Sequence, residues 1–411
     1  MTKAITVAVL SLFLCTRVGA KDMLKKKFIK WSPQMSAPFN FPVAGEWLYV
    51  KYGFDSAVTP YLGGTNLLQD GMAVSHQLEK EIKGHVPKGT DLLWDSWTER
   101  KWYQADIDFS RKEKKILKNA LLSTFPSYDN FDDLLNPKQK NGSYDIFNIC
   151  IFPGGKIRYY LESSDYNRRI CLDGLHSQAK EIQMNQDFLY GGSGMRARSE
   201  EKYWDTMDEY FDEMLLQGKY YLPLETIENE YDSNTRDRIE YYRKHGEPNP
   251  AMWDPYFKRY NYRVAVLMED SKSKLWSECC HFTNAEMYER FLPVNPDNVI
   301  DRPSPLANMD FKWDSAGYAY AANLYFNEEE TFAIFQEAFN GQDNSLDNSL
   351  GELRILVGKN NDSISASLIV NGKSYSFNKI QMDIERCREH YLVGDYIYKN
   401  YKEPHQKFVG R

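Results

Sequence analysis

Residues 101–122 have the sequence KWYQADIDFSRKEKKILKNALL, which predicts a strand followed by a helix. Polar and apolar residues alternate over 101–109, the period-2 pattern of a half-buried strand. Ser110 and Glu113 then have the spacing of a capping box, in which the serine hydroxyl and the glutamate carboxylate each accept a hydrogen bond from the other residue's backbone amide. The helix is therefore expected to begin after Ser110 and to end near Leu122.

The residues that follow predict a hairpin and a further strand. Residues 146–161, IFNICIFPGGKIRYYL, contain two apolar runs separated by Pro153-Gly154-Gly155. Proline fixes φ at the first turn position, and glycine accepts the positive φ of the next. With another strand expected at 169–175, this part of the chain is predicted to form a β-α-β-β lobe.

The same order of elements is predicted near the C-terminus. Residues 318–339 predict a strand and a helix that begins with a second capping box, formed by Asn327 and Glu330. A strand and a hairpin about Asn371-Gly372 follow, since Asn-Gly is a strong hairpin signal. The predicted fold class is α+β: two β-α-β-β lobes with antiparallel sheets and a helical middle segment. Internal duplication would explain the similarity of the lobes, and so would chance recurrence of a common element order.

The middle of the chain carries the helical pattern. Residues 199–217 have apolar side chains at spacings of three and four and end before Gly218, a typical helix stop. Four prolines between 293 and 305 indicate a linker. The predicted division is a signal peptide at 1–20, an N-terminal α+β lobe at 21–198, a helical or irregular middle segment at 199–292, a Pro-rich linker at 293–305 and a C-terminal α+β lobe at 306–411.

Charge and hydropathy exclude two classes of protein. The 411 residues include 51 Lys and Arg against 58 Asp and Glu, a formal net charge of −7. This acidic balance argues against a nucleic-acid-binding protein, which needs a basic surface to displace counterions. The chain has no run of about 18 apolar residues, so no transmembrane span is expected in the mature protein.

The N-terminus predicts export. Lys3 precedes an apolar run at 4–14, and Val18-Gly19-Ala20 provides the small residues that a signal peptidase recognises. Cleavage after Ala20 competes with lipidation at Cys15, where bulky Leu14 occupies a position that is usually small. In either case the predicted location is the bacterial cell envelope, in the periplasm or at the outer membrane. The alternative is a buried N-terminal helix or strand.

No catalytic or cofactor motif is found, and no cofactor is predicted. Cys279-Cys280-His281 is the densest cluster of reactive side chains. It suggests either a metal or thiol site, or adjacent side chains that diverge so that one packs inward. Asp106 and Asp108 lie on one face of a predicted strand and would suit either a glycosidase carboxylate pair or a solvated strand face.

Two segments resemble a known family. Residues 91–109, DLLWDSWTERKWYQADIDF, and the FPGGKI turn at 152–157 resemble the signature of domain-of-unknown-function family 2931. Residues 250–262, PAMWDPYFKRYNY, are similar to a second recurring segment of that family. The resemblance implies an exported bacterial envelope protein, usually a lipoprotein, and it supplies no catalytic residues. The sequence around Cys15 departs from the family's lipidation signal.

These features predict a non-catalytic exported protein that binds a protein partner in the envelope. One form of this is a periplasmic immunity protein against an antibacterial toxin. The alternatives are an envelope enzyme and a carbohydrate-binding surface protein. The candidate partner-binding residues lie on the acidic face of the helix predicted at 199–217, a face that would equally suit a solubilising surface. They are Asp205, Asp208, Glu209 and Asp212.

Overall fold

β-Strands make up most of the fold. The computed structural model describes residues 29–38, 41, 43–53, 55–58, 81–96, 98–99, 101–129, 138–165, 168–182, 233–292, 294–340, 350–389 and 392–399. Strand residues account for 55% and helical residues for 17% of the structure. The α+β prediction is therefore wrong. The protein is mainly β: its strands form two sandwiches of two sheets each, and a single helix packs into each core.

The first sandwich is formed by the N-terminal half of the described chain. Its elements are β1 Lys30–Ser36, β2 Val43–Tyr52, β3 Asp55–Val58, β4 Ile82–Lys83, β5 Pro87–Ser96, β6 Lys101–Asp108, α1 Arg111–Leu122, β7 Thr124–Asp129, β8 Lys138–Ser143, β9 Ile146–Phe152, β10 Lys156–Glu162, β11 Arg168–Gln178 and β12 Lys180–Ile182. A sheet of order β12-β6-β5-β2-β3 packs on the strands β11-β10-β9-β1-β4. The core between them includes Trp31, Trp94 and Tyr159, together with Leu117 and Leu121 of α1. These side chains lie at inward positions of strands that alternate across the pleat.

The second sandwich follows a long segment outside the described residues. Two elements, α2 Ser233–His245 and a 3-10 segment Pro250–Phe257, precede it and pack against the first sandwich. The elements of the second sandwich are β13 Tyr262–Met268, β14 Lys274–Phe282, β15 Met287–Phe291, β16 Leu306–Ser315, β17 Tyr318–Tyr325, α3 Glu328–Ala338, β18 Gly351–Val357, β19 Ile364–Val370, β20 Lys373–Ser376, β21 Gln381–Glu389 and β22 Leu392–Lys399. Strands β22-β21-β17-β16-β14-β15 pack on the sheet β13-β18-β19-β20. Phe311, Trp313 and Leu353 lie in the core with Phe335 of α3.

The two sandwiches use the same strand pairing. One sheet of the first sandwich has the strand order β12-β6-β5-β2-β3, and its strands correspond one by one to β21-β17-β16-β14-β15 of the second sandwich. The opposing strands β1-β9-β10-β11 correspond in the same way to β13-β18-β19-β20. Both sandwiches contain one parallel pair, β1 with β9 and β13 with β18, so the prediction of purely antiparallel sheets is also wrong. The unit that recurs is a whole sandwich and not a β-α-β-β lobe.

The predicted helical middle segment is wrong for the part that the structure describes. Between 233 and 292, α2 is followed by the 3-10 segment and by strands β13, β14 and β15. Strand β14 supplies buried Cys280 and Phe282 to the second core, so tertiary packing decides the structure of this stretch. The helix predicted at 199–217 lies outside the described residues.

Two of the local predictions of caps and turns are confirmed, and a third is confirmed in part. In α1, the Ser110 amide donates to the Glu113 carboxylate at 2.6 Å and the Glu113 amide donates to the Ser110 hydroxyl at 3.2 Å. Asn371 and Gly372 both have positive φ, as the β19–β20 hairpin requires. In α3 the box is only half formed. Asn327 caps the helix, but the Glu330 carboxylate accepts from the Asn378 and Lys379 amides that follow β20.

Strands β11 and β15 join the sandwiches into one eleven-stranded sheet. Beside this joint, the Arg259 guanidinium binds both oxygens of Glu286 at 2.6 and 2.7 Å, and its Nε binds Asp173 at 2.8 Å. Glu286 also accepts the Cys171 amide of β11 at 2.9 Å. This bidentate and almost fully buried ion pair is thus hydrogen-bonded to β11 of the first sandwich and to Asn284 and Arg302 in loops of the second, a geometry that compensates the loss of hydration.

In the described part of the chain, no helix combines the length and apolar character needed to cross a membrane.

Candidate functional site

The strand and turn motifs singled out in the sequence meet at one buried carboxylate. Glu99, in the turn between β5 and β6, is 6% exposed. Its Oε1 accepts the Gly154 amide at 2.7 Å and the Tyr103 hydroxyl at 2.9 Å. Tyr103 in turn stacks on Trp94, with ring centroids 5.5 Å apart. The carboxylate therefore connects the β5–β6 hairpin to the turn between β9 and β10.

Glycine is needed at this turn because two neighbours pack directly against it. Gly154 has φ +76, and a Cβ there would lie 2.8 Å from the Cβ of Pro250. At Gly155, which has φ +72, a Cβ would lie 2.8 Å from the Tyr103 ring. The predicted positive φ at Gly154 is confirmed. Backbone conformation and close packing thus both exclude a side chain here.

The Pro250–Phe257 segment docks onto the same turn. The Lys156 ammonium donates to the Pro250 carbonyl at 2.9 Å and to Asp254 at 3.1 Å. Trp253 is buried between Phe152 and Phe41, with ring centroids 5.8 and 5.0 Å away. The two sequence segments that carry the family resemblance are therefore in direct contact.

Residues 19–218 match the family model described as Protein of unknown function (DUF2931). The predicted resemblance to DUF2931 is confirmed over that range. Residues 250–257 lie beyond the matched range, although they pack on the turn inside it. No curated protein and no solved structure matches the chain.

The environment of Glu99 also changes the pKa of its carboxyl group. Burial raises its pKa, while hydrogen bonds from Ser96, Gly154 and Tyr103 oppose that change. Its second oxygen, Oε2, is buried without a hydrogen-bond partner among the described residues. Burial and the Glu99 charge together raise the pKa of the Tyr103 hydroxyl, so Tyr103 remains a hydrogen-bond donor at neutral pH.

A second polar cluster lies on the outer face of the second sandwich. Five polar side chains occupy one register position across five neighbouring strands and point away from the core. They are Glu289 of β15, Cys279 of β14, Asp310 of β16, Asn323 of β17 and Asp383 of β21. We call these residues the polar row. Cys279, Asp310 and Glu289 are each half-buried, unlike the freely solvated side chains of an exposed sheet face.

His281 lies beside the polar row because it is two residues from Cys279 on the same face of β14. The Cys279 Sγ and the His281 Nε2 are 3.2 Å apart. One potential metal-ligand atom from each of Cys279, His281 and Asp310 lies within 4.8 Å of the other two. Cys280 points to the opposite face, where it is fully buried in the core. Both sequence-based interpretations thus hold in part: one thiol packs inward, and its neighbours form a cluster of potential ligands.

Aromatic side chains border this cluster on the β15 side. The Tyr128 hydroxyl of β7 donates to Glu289 at 2.7 Å. Tyr128 also packs on Phe291, and Phe291 on Trp276, with ring centroids 4.2 and 5.6 Å apart. Burial raises the pKa of Glu289, an effect that the Tyr128 hydrogen bond opposes. The β7–β8 hairpin of the first sandwich therefore shelters one end of the polar row.

The remaining sequence candidates fall elsewhere. Asp106 and Asp108 both form ion pairs with Lys51, as expected for the charged face of a strand. Cys15 and the four partner-binding candidates lie outside the described residues. These four are Asp205, Asp208, Glu209 and Asp212.

Asp310 and Glu289 are the residues that sequence reasoning misses. Asp310 lies 31 and 29 positions beyond Cys279 and His281, and only the pairing of β14 with β16 brings it beside them. The sequence does contain one indication of this site, the Cys-x-His spacing of Cys279 and His281, since residues two apart on a strand share a face. That signal identifies two ligands and gives no indication of the third.

Proposed function

We propose that this protein is an exported component of the bacterial cell envelope that acts by binding a protein partner and not by catalysis. One observation carries the proposal: Glu99, Lys101 and Lys156, ionisable residues of the segments that resemble DUF2931, bind neighbouring parts of the same chain. A motif used in this way maintains a scaffold. The specific function then depends on the surfaces that the scaffold presents.

The contacts of three motif residues support this assignment. Oε1 of Glu99 accepts hydrogen bonds from the Gly154 amide and the Tyr103 hydroxyl, and its Oε2 is buried away from solvent. Lys101 pairs with Glu181 at 3.1 Å and with Glu247 at 2.7 Å. Lys156 holds the Pro250–Phe257 segment. An acid, base or nucleophile must instead be within hydrogen-bonding reach of a bound substrate.

Export rests on the N-terminal sequence. The family match begins at residue 19, two residues before the mature N-terminus that cleavage after Ala20 would give. Intact-mass measurement of protein purified from the native host should find a chain beginning at Lys21 or a lipidated Cys15. A cytoplasmic chain that retains Met1 would contradict the envelope assignment.

The proposed partner is a basic protein that docks on the acidic face of the helix predicted from the sequence at 199–217. Seven carboxylates on that face would repel one another, and a basic partner would relieve the repulsion. An antibacterial toxin neutralised in the periplasm is one such partner. Complementary charges accelerate encounter, and salt screens them.

Charge reversal tests this surface. The reversed protein carries Lys at Asp205, Asp208, Glu209 and Asp212. The control protein carries the same charge change at four exposed acidic residues elsewhere. These control positions are Glu240, Asp297, Asp301 and Asp362.

Association of a partner captured from native envelopes is measured at low and high salt. We expect the first reversal to slow association by about an order of magnitude at low salt, whereas the control reversal should have a smaller effect. Equal rates for the two reversed proteins would refute a role for the acidic face. A retained far-UV circular dichroism spectrum shows that both proteins remain folded.

A further inference from the structure

We propose that Cys279, His281 and Asp310 form a binding site for one zinc-type divalent metal ion, with a fourth coordination position open to solvent. All three residues lie outside the range 19–218 that matches the family model. The site would make the second sandwich a metal-binding unit, whatever partner the protein binds.

The backbone places the three donors. Cys279 and His281 are two residues apart on β14 and therefore share a face, and Asp310 pairs directly with Cys279 from β16. Both strands are interior members of the eleven-stranded sheet. The donors are thus fixed to a rigid part of the fold, which favours a defined coordination geometry.

The distances suit a tetrahedral ion. Zinc lies about 2.3 Å from a thiolate sulfur and about 2.0–2.2 Å from imidazole nitrogen or carboxylate oxygen, so two donors on one ion are roughly 3.3–3.8 Å apart. The Sγ–Nε2 separation is 3.2 Å, and all three donor atoms lie within 4.8 Å of one another. Small side-chain rotations would therefore bring the three donors to bonding distance.

The ligand types of Cys279, His281 and Asp310 indicate which metal ion would bind. A thiolate, an imidazole and a carboxylate together favour Zn²⁺ and its analogue Co²⁺ over Mg²⁺ and Ca²⁺, which prefer oxygen ligands. Glu289 also neighbours Cys279 in register, but its carboxylate already accepts the Tyr128 hydroxyl. We therefore assign three protein ligands, the number that leaves one coordination position open.

The neighbouring residues can orient the ligands. Asn308 pairs in register with His281, and Asn323 pairs with Asp310 while its side-chain amide donates to Asp383, all on the face that carries the donors. Polar groups beside metal ligands fix their orientation and raise the affinity of the site. Half-burial of Cys279, His281 and Asp310 limits competing water while still allowing an ion to enter.

Metal titration of the full-length protein tests the site. Chelator-treated protein is titrated with Zn²⁺ by calorimetry and with Co²⁺ by absorption spectroscopy. We expect one ion per chain and a thiolate-to-cobalt charge-transfer band. The near-isosteric variants Cys279→Ser, His281→Gln and Asp310→Asn should each weaken Zn²⁺ binding by ~10-fold or more, and Cys279→Ser should abolish the band.

Two control variants separate this site from adventitious binding. Cys280→Ala removes the adjacent thiol, which faces the core, and His176→Gln removes an exposed imidazole on β11. Both should retain the wild-type affinity and the charge-transfer band. The proposal is overturned if Zn²⁺ binds wild type and the three ligand variants equally, or if Co²⁺ gives no charge-transfer band. Asp310→Asn keeps the core intact and gives a second measurement if Cys279→Ser folds poorly.

Discussion

Gly154→Ala is expected to destabilise the protein for two separable reasons. The first is conformational, since Gly154 has φ +76 and an L-residue in the left-handed region costs ~1–2 kcal/mol. The second is steric, because the new Cβ would lie 2.8 Å from the Pro250 Cβ. Overpacking of this kind costs ~1–3 kcal/mol. The free energy of unfolding should therefore fall by roughly 2–5 kcal/mol.

Gly84→Ala is the matched control for the conformational contribution. Gly84 has φ +79, and no atom lies within 4 Å of the position that its Cβ would take. Its substitution should therefore cost only the ~1–2 kcal/mol of the backbone term. Both proteins are measured by urea unfolding, followed by tryptophan fluorescence and far-UV circular dichroism.

A double-mutant cycle isolates the steric contribution. In a Pro250→Gly background the Gly154→Ala side chain has no ring to displace, so its cost should fall to that of Gly84→Ala. The expected coupling energy is ~1–3 kcal/mol. If Gly154→Ala costs no more than Gly84→Ala in the wild-type background, the contact between the turn and the Pro250–Phe257 segment is refuted.

Three further predictions concern buried polar groups and a helix cap. Burial raises the pKa of Glu99 above its usual 4.5, so the stability that its protonated form contributes is present at low pH and is lost as pH rises through the folded pKa. The free energy of unfolding should therefore decrease less steeply above pH ~4.5 in Glu99→Gln than in wild type. The same pH dependence in both proteins would contradict this. Glu286→Gln removes the buried counter-charge of the Arg259 guanidinium, leaving only the exposed Asp173, and should cost about 3 kcal/mol in urea unfolding. Asn327→Ala removes the cap of α3 and should cost ~1 kcal/mol, with Asn378→Ala as a control that retains the cap.

Elements governed by local chemistry could be predicted from the sequence. The Ser110–Glu113 capping box, the positive φ of Gly154 and the Asn371-Gly372 turn all depend on residues within a few positions of one another. The fold class could not be predicted in this way. It depends on pairings such as β1 with β9, where Ser32 lies beside Ile146, and local propensity does not encode such distant register.

The candidate metal site shows the same division. The spacing of Cys279 and His281 is visible in the sequence because a strand places alternate residues on one face. Asp310 becomes their neighbour only when β14 and β16 pair, with Cys279 opposite Asp310. A shift of one residue in that register would turn Asp310 into the core and remove the third ligand.

The joint between β11 and β15 restricts how the chain can be divided for expression. β15 follows β14 along the chain, yet Met287 and Tyr288 of β15 pair with Arg169 and Arg168 at the start of β11. A fragment that ends before Met287 would lose this pairing and lengthen the open edge of β11, which could recruit strands from other molecules. Such a fragment is expected to aggregate even if its own sandwich forms. A cut within the Pro-rich stretch 293–305 would keep β15 with β11 but would separate β14 from its sheet partner β16.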